Sequence, residues 1–476
     1  MVDLPQHAAQ IGMIFDVLSP DSSWAQFFQL NLATPYLTTY GLGWLFSNFL
    51  TVLTATKLIL SCAFCGFVAM SVVLRKYLGS DERLDWLSLA SFFGFAWKWG
   101  FMSFLLAAPI CLLFVWRVLC YVDKQSVRGA LSVVLVGALL LISHGLVFVF
   151  ACTIGLGICC LKAYTHSGRW LTFFWPVGLS ALLCVVYSLL VSYMQLGVAS
   201  GSESFGVTIW AFNLFARTKE LLIYSFDNQS SVQYSAATLI LLAVPFALQN
   251  KLNRKNPLAY TPLIVTVIVF FLVPTYALKT AFLYQRFALF FLPAWALLFC
   301  VNTRLQQPRL YSHPACIVMA FCIWIPLYNH TQEAIKFNKE SADFEVIIEK
   351  LSPGRRALYF AIDNYSPADG HQNIYLHYGS WYQAEKNGFV DFNFAWFPPQ
   401  LLRFKESGVS EVRPGFEFQP KTFDWNTHRG ERYQYFIFRS EEHLAVEQYF
   451  RGAPCPPTLL IRSGAWYVYE QSRCRP

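Results

Sequence analysis

The sequence predicts a polytopic α-helical membrane protein with about ten membrane helices and a C-terminal α+β domain outside the cytoplasm. Three observations predict it. The first is composition: a soluble domain carries roughly 25% charged residues, whereas this 476-residue chain carries 13%, with 55% hydrophobic and 17% aromatic residues and a mean hydropathy of +0.41. The second is a series of apolar runs long enough to cross a hydrocarbon core about 30 Å thick. The third is a sharp change of composition after residue 330, where charge, Pro, Gly and short alternating runs return.

A window of about 19 residues finds apolar runs near 46–74, 85–97, 101–121, 129–163, 170–192, 236–250, 258–280, 284–303 and 312–329. The run 129–163 is too long for one crossing and breaks at Ser143, His144 and Gly145, so it counts as two. The runs 85–97 and 236–250 are short and read as tilted or partly re-entrant helices.

If ten crossings alternate, Arg75, Lys76 and Arg83, then Lys124 and Arg128, Lys162 and Arg169, Lys251, Arg254 and Lys255, and Arg304 and Arg309 all fall on one side. By the positive-inside bias that side is the cytoplasm. The net charge of +8 is therefore topological, and no nucleic acid is expected as a partner. The other side receives an amphipathic surface segment 1–45, a loop 193–235, and the tail 331–476 beyond the membrane domain 1–330. In the tail, Arg356–Ala361, Tyr433–Arg439 and Ala465–Glu470 read as strands, and Ala342–Leu351 and Glu441–Phe450 as helices.

Among candidate residues, Asp3 and His7 come first. Pro5 suits a helix start, and Ala8, Ile11, Met13, Ile14 and Phe15 predict an amphipathic helix on the outer membrane surface. Four residues apart, Asp3 and His7 share a face where a general base would stand; the plainer alternative is an N-cap aspartate beside a solvated histidine. Lys98, in Phe-Ala-Trp-Lys-Trp-Gly-Phe, either snorkels to headgroups or holds a lipid phosphate. Gln285 and Arg286 lie at the outer head of another run, preceded by Lys279. Cations there run against the topological bias and suit an anionic lipid-linked substrate. His144 is an ionisable group inside a membrane run, a functional candidate or a histidine bonded to a neighbouring helix. Tyr378, Trp381, Tyr382, Trp396 and Trp425 pack a core or stack on sugars.

Of 13 Cys, 11 lie in or beside apolar runs, Cys62 and Cys65 form a lone C-x-x-C, and Cys455 and Cys474 are free to pair in an oxidising compartment. Sequons at Asn228, Asn329 and Asn364 matter only in a glycosylating compartment. Phosphate-loop, dinucleotide, nucleophile-elbow and H-E-x-x-H motifs are absent. So is clear duplication of the apolar segments, which weakens a repeat-built transporter. No cofactor is called for, and no metal spacing supports a divalent ion.

Asp3-Leu4-Pro5-Gln6-His7, Phe95-Ala96-Trp97-Lys98-Trp99-Gly100-Phe101-Met102-Ser103-Phe104-Leu105, the Ser143-His144 pair and Arg286-Phe287-Ala288-Leu289-Phe290-Phe291-Leu292-Pro293-Ala294 together resemble a group of bacterial polytopic proteins similar to the GT-C glycosyltransferase superfamily. Ser103 stands where the group tends to have Asn, no Asp-x-Asp or Glu-x-Asp pair is present at the start, and a membrane helix normally precedes the aspartate segment, so one is expected upstream of Asp3; the alternative is that the N-terminal segment 1–45 is translocated unaided.

The resemblance implies sugar transfer from a polyprenyl-phosphate-linked donor to a glycan or lipid acceptor in envelope polysaccharide assembly. It places the protein in the bacterial inner membrane with the tail in the periplasm. Asp3 and His7 would be catalytic, and Lys98, His144, Gln285 and Arg286 would bind substrate. The alternatives are a transporter or flippase for a lipid-linked glycan, and a non-catalytic partner of envelope-assembly proteins.

Overall fold

A computed structural model of the chain describes residues 1–19, 22–165, 170–194, 207–229, 231–277, 280–302, 313–368, 373–405, 408–442 and 444–471. It is mostly helical, at 62%. Among the described residues, five helices are long and apolar enough to cross a membrane: α3 (Val52–Leu78), α6 (Met102–Asp123), α8 (Gly145–Thr165), α9 (Trp170–Met194) and α14 (Pro314–Lys350). Shorter apolar helices occupy three further runs: α7 (Val127–Ser143), α11 (Val232–Ala247) and α12 (Thr261–Leu272). The remaining two runs hold only short helical pieces. Residues 85–97 form α4 (Leu87–Ser91) and the start of α5 (Phe95–Trp99), and the described part of the other run, 284–302, forms a 3-10 turn leading into α13 (Phe291–Ala296).

Helix ends follow local chemistry. The Thr51 hydroxyl accepts from Thr54 N at the start of α3, and Gly79, at φ 72°, ends it in the left-handed region that glycine alone enters freely. His144, in extended conformation, separates α7 from α8 at the break read from composition.

The C-terminal ends of α3, α6 and α8 meet. Tyr77 donates to Asp123 at 2.6 Å, Lys162 pairs with the same carboxylate at 2.7 Å, and Asn253 Nδ2 donates to Leu78 O at 2.8 Å. A two-stranded ribbon, β2 (Lys251–Leu252) with β5 (Phe299–Cys300), closes this end. Arg75, Lys76, Lys124, Arg128, Lys162, Lys251, Arg254 and Lys255 thus gather at one end of the bundle; Arg169, Arg304 and Arg309 lie outside the described residues. Arg83 is not a free topological charge: it is 2% exposed and forks onto Asp81 at 2.6 Å. The 22 residues of α6 put its other end roughly 33 Å away.

At that other end stand α1 (Leu4–Leu18), β1 (Phe28–Leu30), α2 (Leu37–Ser47), α10 (Leu214–Tyr224) and the hairpin β3 (Tyr276–Ala277) with β4 (Thr280–Ala281). The α14 helix continues without a break through residue 330 and carries the chain into the tail.

The tail is built on a five-stranded mixed sheet. In chain order its strands are β6 (Arg356–Ala361), β7 (Phe389–Asp391), β9 (Tyr435–Arg439), β10 (Thr458–Ser463) and β11 (Trp466–Glu470), arranged 10-11-9-6-7. The central β6 runs parallel to both neighbours, and α15 (Ser380–Lys386) lies on the crossover to β7. Both faces of β6 are covered, as a parallel core strand requires. Phe344, Ile347 and Ile348 of α14 pack on one face, and Phe416, Phe423 and Trp425 cover the other. The three alternating runs became β6, β9 and β11. The helix expected at Glu441–Phe450 is instead one 3-10 turn, Val446–Gln448, because Val446, Tyr449 and Phe450 bury into the aromatic core without a helical stripe. Cys455 is disulfide-bonded, and Cys474 lies outside the described residues.

The N-terminal helix departs furthest from expectation. Instead of floating on a membrane surface, α1 is buried from Pro5 to Ile14, between α2 and α15. Its glutamines explain the position. Gln6 donates to Phe392 O at 3.1 Å and accepts from Phe394 N at 3.0 Å, and Gln10 accepts from Leu402 N at 2.8 Å. Each such bond nets about 1 kcal/mol, but leaving a buried partner unmade costs about 1–3 kcal/mol, so these pairs fix the docking. The adjacent β1 pairs antiparallel with β8 (Leu402–Phe404). The first 30 residues are thereby stitched into the tail.

Candidate functional site

The turn after α5 sets the position of the chain's first residues. Gly100 has φ 81° and lets the backbone fold back, so that Asp3 N donates to Trp99 O at 2.8 Å and Val2 N to Lys98 O at 3.2 Å. A Cβ on Gly100 would stand 3.0 Å from Leu4 N and 3.2 Å from Asp3 N. The aromatic motif around Gly100 is therefore a clasp for Asp3. Gly100→Ala adds left-handed strain of about 1 kcal/mol and that crowding. It is expected to speed amide exchange in peptides covering residues 2–10 while α6 peptides stay protected. Unchanged exchange at 2–10 would remove the clasp.

Asp3 precedes α1 but does not cap it: its side chain makes no capping bond, and its backbone carbonyl takes the bonds from Gln6 N and His7 N, both at 3.1 Å. The carboxylate turns into a cavity of about 280 Å³ lined by α1, the start of α6, His144, the β3–β4 hairpin, Arg286 and the tail. His377 of the tail brings Nε2 to 3.5 Å from Asp3 Oδ1. Burial raises the Asp3 carboxyl to about 7, with Arg286 pulling the other way. Burial also lowers His377 to about 3 and His7 to about 4, so both rings are neutral at pH 7.

His7 stands one turn along α1. Its Nδ1 lies 2.8 Å from the Tyr40 hydroxyl, which donates onward to Gln400 Oε1 at 2.6 Å. With the Tyr40 proton committed to Gln400, the ring must donate from Nδ1. That assigns the lone pair to Nε2, and His7 lines the cavity.

Arg286 lies opposite. Its guanidinium donates to Ala281 O at 2.7 Å and Phe282 O at 2.9 Å and rests 4.1 Å from the Phe101 ring centroid. No carboxylate pairs with it among the described residues. Two buried polar atoms on the cavity wall, His144 Nδ1 and Ser103 Oγ, lack a hydrogen-bond partner. Buried polar groups rarely stay unpaired, and a bound polar ligand would satisfy them.

Asp3, His7, His144 and Arg286 thus line one cavity. Lys98 and Gln285 stand outside it. The clasp uses the Lys98 backbone, and the side chain leaves on the other side, with Nζ 2.8 Å from Glu333 and 3.8 Å from Asp227. Its charge is spent tying α5 to α14, which is why it does not reach the cavity. Gln285 donates to Thr275 at 2.7 Å. Lys279 lies outside the described residues.

Sequence reasoning missed His377, Glu417, Tyr40 and Gln400. Glu417 lines the cavity, accepts from Gly415 N at 2.8 Å, and has its carboxyl raised by burial. Nothing local marks these residues; the docking of the tail on α1 brings in His377, Glu417 and Gln400, and the packing of α2 on α1 brings in Tyr40. Among the described residues no cluster of three metal-ligating side chains is present. The chain matches no family model, no curated protein and no solved structure.

Proposed function

We propose that the protein is a GT-C-like membrane glycosyltransferase that moves a sugar from a polyprenyl-phosphate-linked donor to an extracytoplasmic acceptor. The observation that carries the reading is that an uncapped carboxylate, Asp3, and a cation without a carboxylate partner, Arg286, face one cavity. That cavity stands at the end of the bundle opposite the basic clusters. With those clusters in the cytoplasm, the cavity and the tail are extracytoplasmic, in a bacterial inner membrane the periplasm. The five long helices, the shorter apolar ones and the two broken runs make up about ten crossings.

The chemistry follows from the groups. The acceptor hydroxyl attacks the anomeric carbon and its proton passes to the Asp3 carboxylate; a base titrating near 7 is matched to that task. The bond from the anomeric carbon to the phosphate oxygen breaks with inversion, and the departing phosphate gains negative charge, which Arg286 meets. His7 Nε2 accepts a hydrogen bond from a sugar hydroxyl, and His377 orients Asp3. His144 and Ser103 donate to the phosphate or sugar. Lys98 and Gln285 have no part in it.

Lipid-linked glycan profiling of cells lacking the protein tests the reading. A sugar-charged polyprenyl phosphate is expected to accumulate several-fold while one glycan loses a sugar, and restoring the gene reverses both. An unchanged profile would count decisively against a transferase.

A further inference from the structure

Two stretches of the tail present successive residues to different hollows. Phe397, Glu417 and Phe418 line the Asp3 cavity, whereas Trp396, Gly415 and Phe416 line a second cleft of about 730 Å³ within the tail domain. The 3-10 turn Phe416–Phe418 turns roughly 120° per residue, so one strand of backbone serves as the wall between them.

The cleft has its own chemistry. Arg413 is exposed, and among the described residues its guanidinium makes no hydrogen bond, ion pair or ring contact. Arg432 donates toward Glu411 at 2.8 Å, and Arg429 approaches the same carboxylate oxygen at 3.5 Å, so Glu411 is held and Arg432 is aimed. The Trp396 indole is fixed by its bond to Val412 O at 3.2 Å, and His428 stacks on Phe423 at 5.5 Å. On the cleft wall two arginines stand against one glutamate, beside aromatic surface. Guanidinium groups recognise carboxylate and phosphate in planar, paired fashion. Aromatic surface beside fixed polar groups suits the apolar faces and hydroxyls of a sugar ring. Of the five tail aromatics singled out in the sequence, Trp381, Tyr382 and Trp425 are buried core residues and Tyr378 packs against Phe344 and Trp466, which leaves Trp396 as the one of that group lining the cleft.

We propose that this cleft binds an anionic saccharide, one bearing a carboxylate or phosphate group, and that it is the acceptor subsite of the transferase. The acceptor role rests on the transferase reading; the binding of an acidic sugar does not. Across a wall one backbone thick, a chain seated in the cleft would have its end delivered to Asp3.

Full-length protein in lipid nanodiscs, applied to an array printed with uncharged, uronic-acid-containing and phosphorylated oligosaccharides, tests the proposal. Binding is expected on one or both acidic arms, which also tells carboxylate from phosphate. Arg413→Ala is expected to reduce it at least tenfold, and Asp3→Asn to leave it within twofold. Absence of binding on every arm, binding on the uncharged arm alone, or undiminished binding by Arg413→Ala overturns it. So does a loss with Asp3→Asn equal to that with Arg413→Ala, which would put the sugar in the other cavity. If Asp3→Asn transfers sugar at full rate while Arg413-dependent binding persists, the transferase reading fails and the saccharide site stands.

Discussion

Asp3→Asn is expected to lower sugar transfer by about 10²–10⁴-fold, the range a positioned general base contributes, with the protein still expressed and folded. Asn keeps the size and cannot take the proton. Wild-type transfer is expected to rise with pH through about 7, the value to which burial raises the Asp3 carboxyl, and this acid limb should vanish in the variant. The stability effect has the opposite sense. The folded value lies above the ordinary 3.8, so the folded protein holds a proton between about pH 4 and 7 that the unfolded chain releases. Stability from this group is therefore present at low pH and lost as pH rises through about 7. Asp3→Asn removes that penalty and should melt no lower than wild type at pH 8. Full transfer by the variant, or a melting point lowered by many degrees, would refute the assignment of Asp3 as base.

Arg286→Gln is expected to cost about 10²–10³-fold in turnover, the scale seen when one preorganised donor to a developing anion is removed. The loss should fall on kcat more than on KM, because the charge it meets appears as the phosphate departs. Arg286→Lys should recover only part. A single ammonium cannot reproduce the planar fork that reaches both Ala281 O and Phe282 O while lying over the Phe101 ring. Transfer from a purified polyprenyl-phosphate sugar, measured beside melting curves of both variants, checks this. Equal losses in KM alone would make Arg286 a docking residue with no share in bond breaking.

The architecture was legible where the physics is local. Apolar run length marked eight of the helical segments. The break at His144 followed from a polar interruption, and period-two alternation marked β6, β9 and β11. The grouping of basic residues at one end followed from topology, although the buried Asp81–Arg83 pair shows that a cation in a basic cluster can serve packing instead. The failures are non-local. An apolar helix containing Gln6 and Gln10 reads as amphipathic until the tail backbone they bind is known. Lys98 reads as an interfacial cation until α14 supplies Glu333. His377 and Glu417 have no periodicity or spacing relative to Asp3, so their part in the cavity depends on the tail docking against α1.

That docking sets an order on how the chain is made. Gln6 meets Phe392 across 386 residues of sequence, and at about 5–20 residues per second of synthesis roughly 20–80 s separate the two on the ribosome. Throughout that interval the bundle can assemble behind α1, but the cavity has no His377, no Glu417 and no outer wall. On the proposed transferase reading, a nascent or truncated chain is expected to be silent, with the last third of the polypeptide acting as a completion signal for a site whose first residue is Asp3.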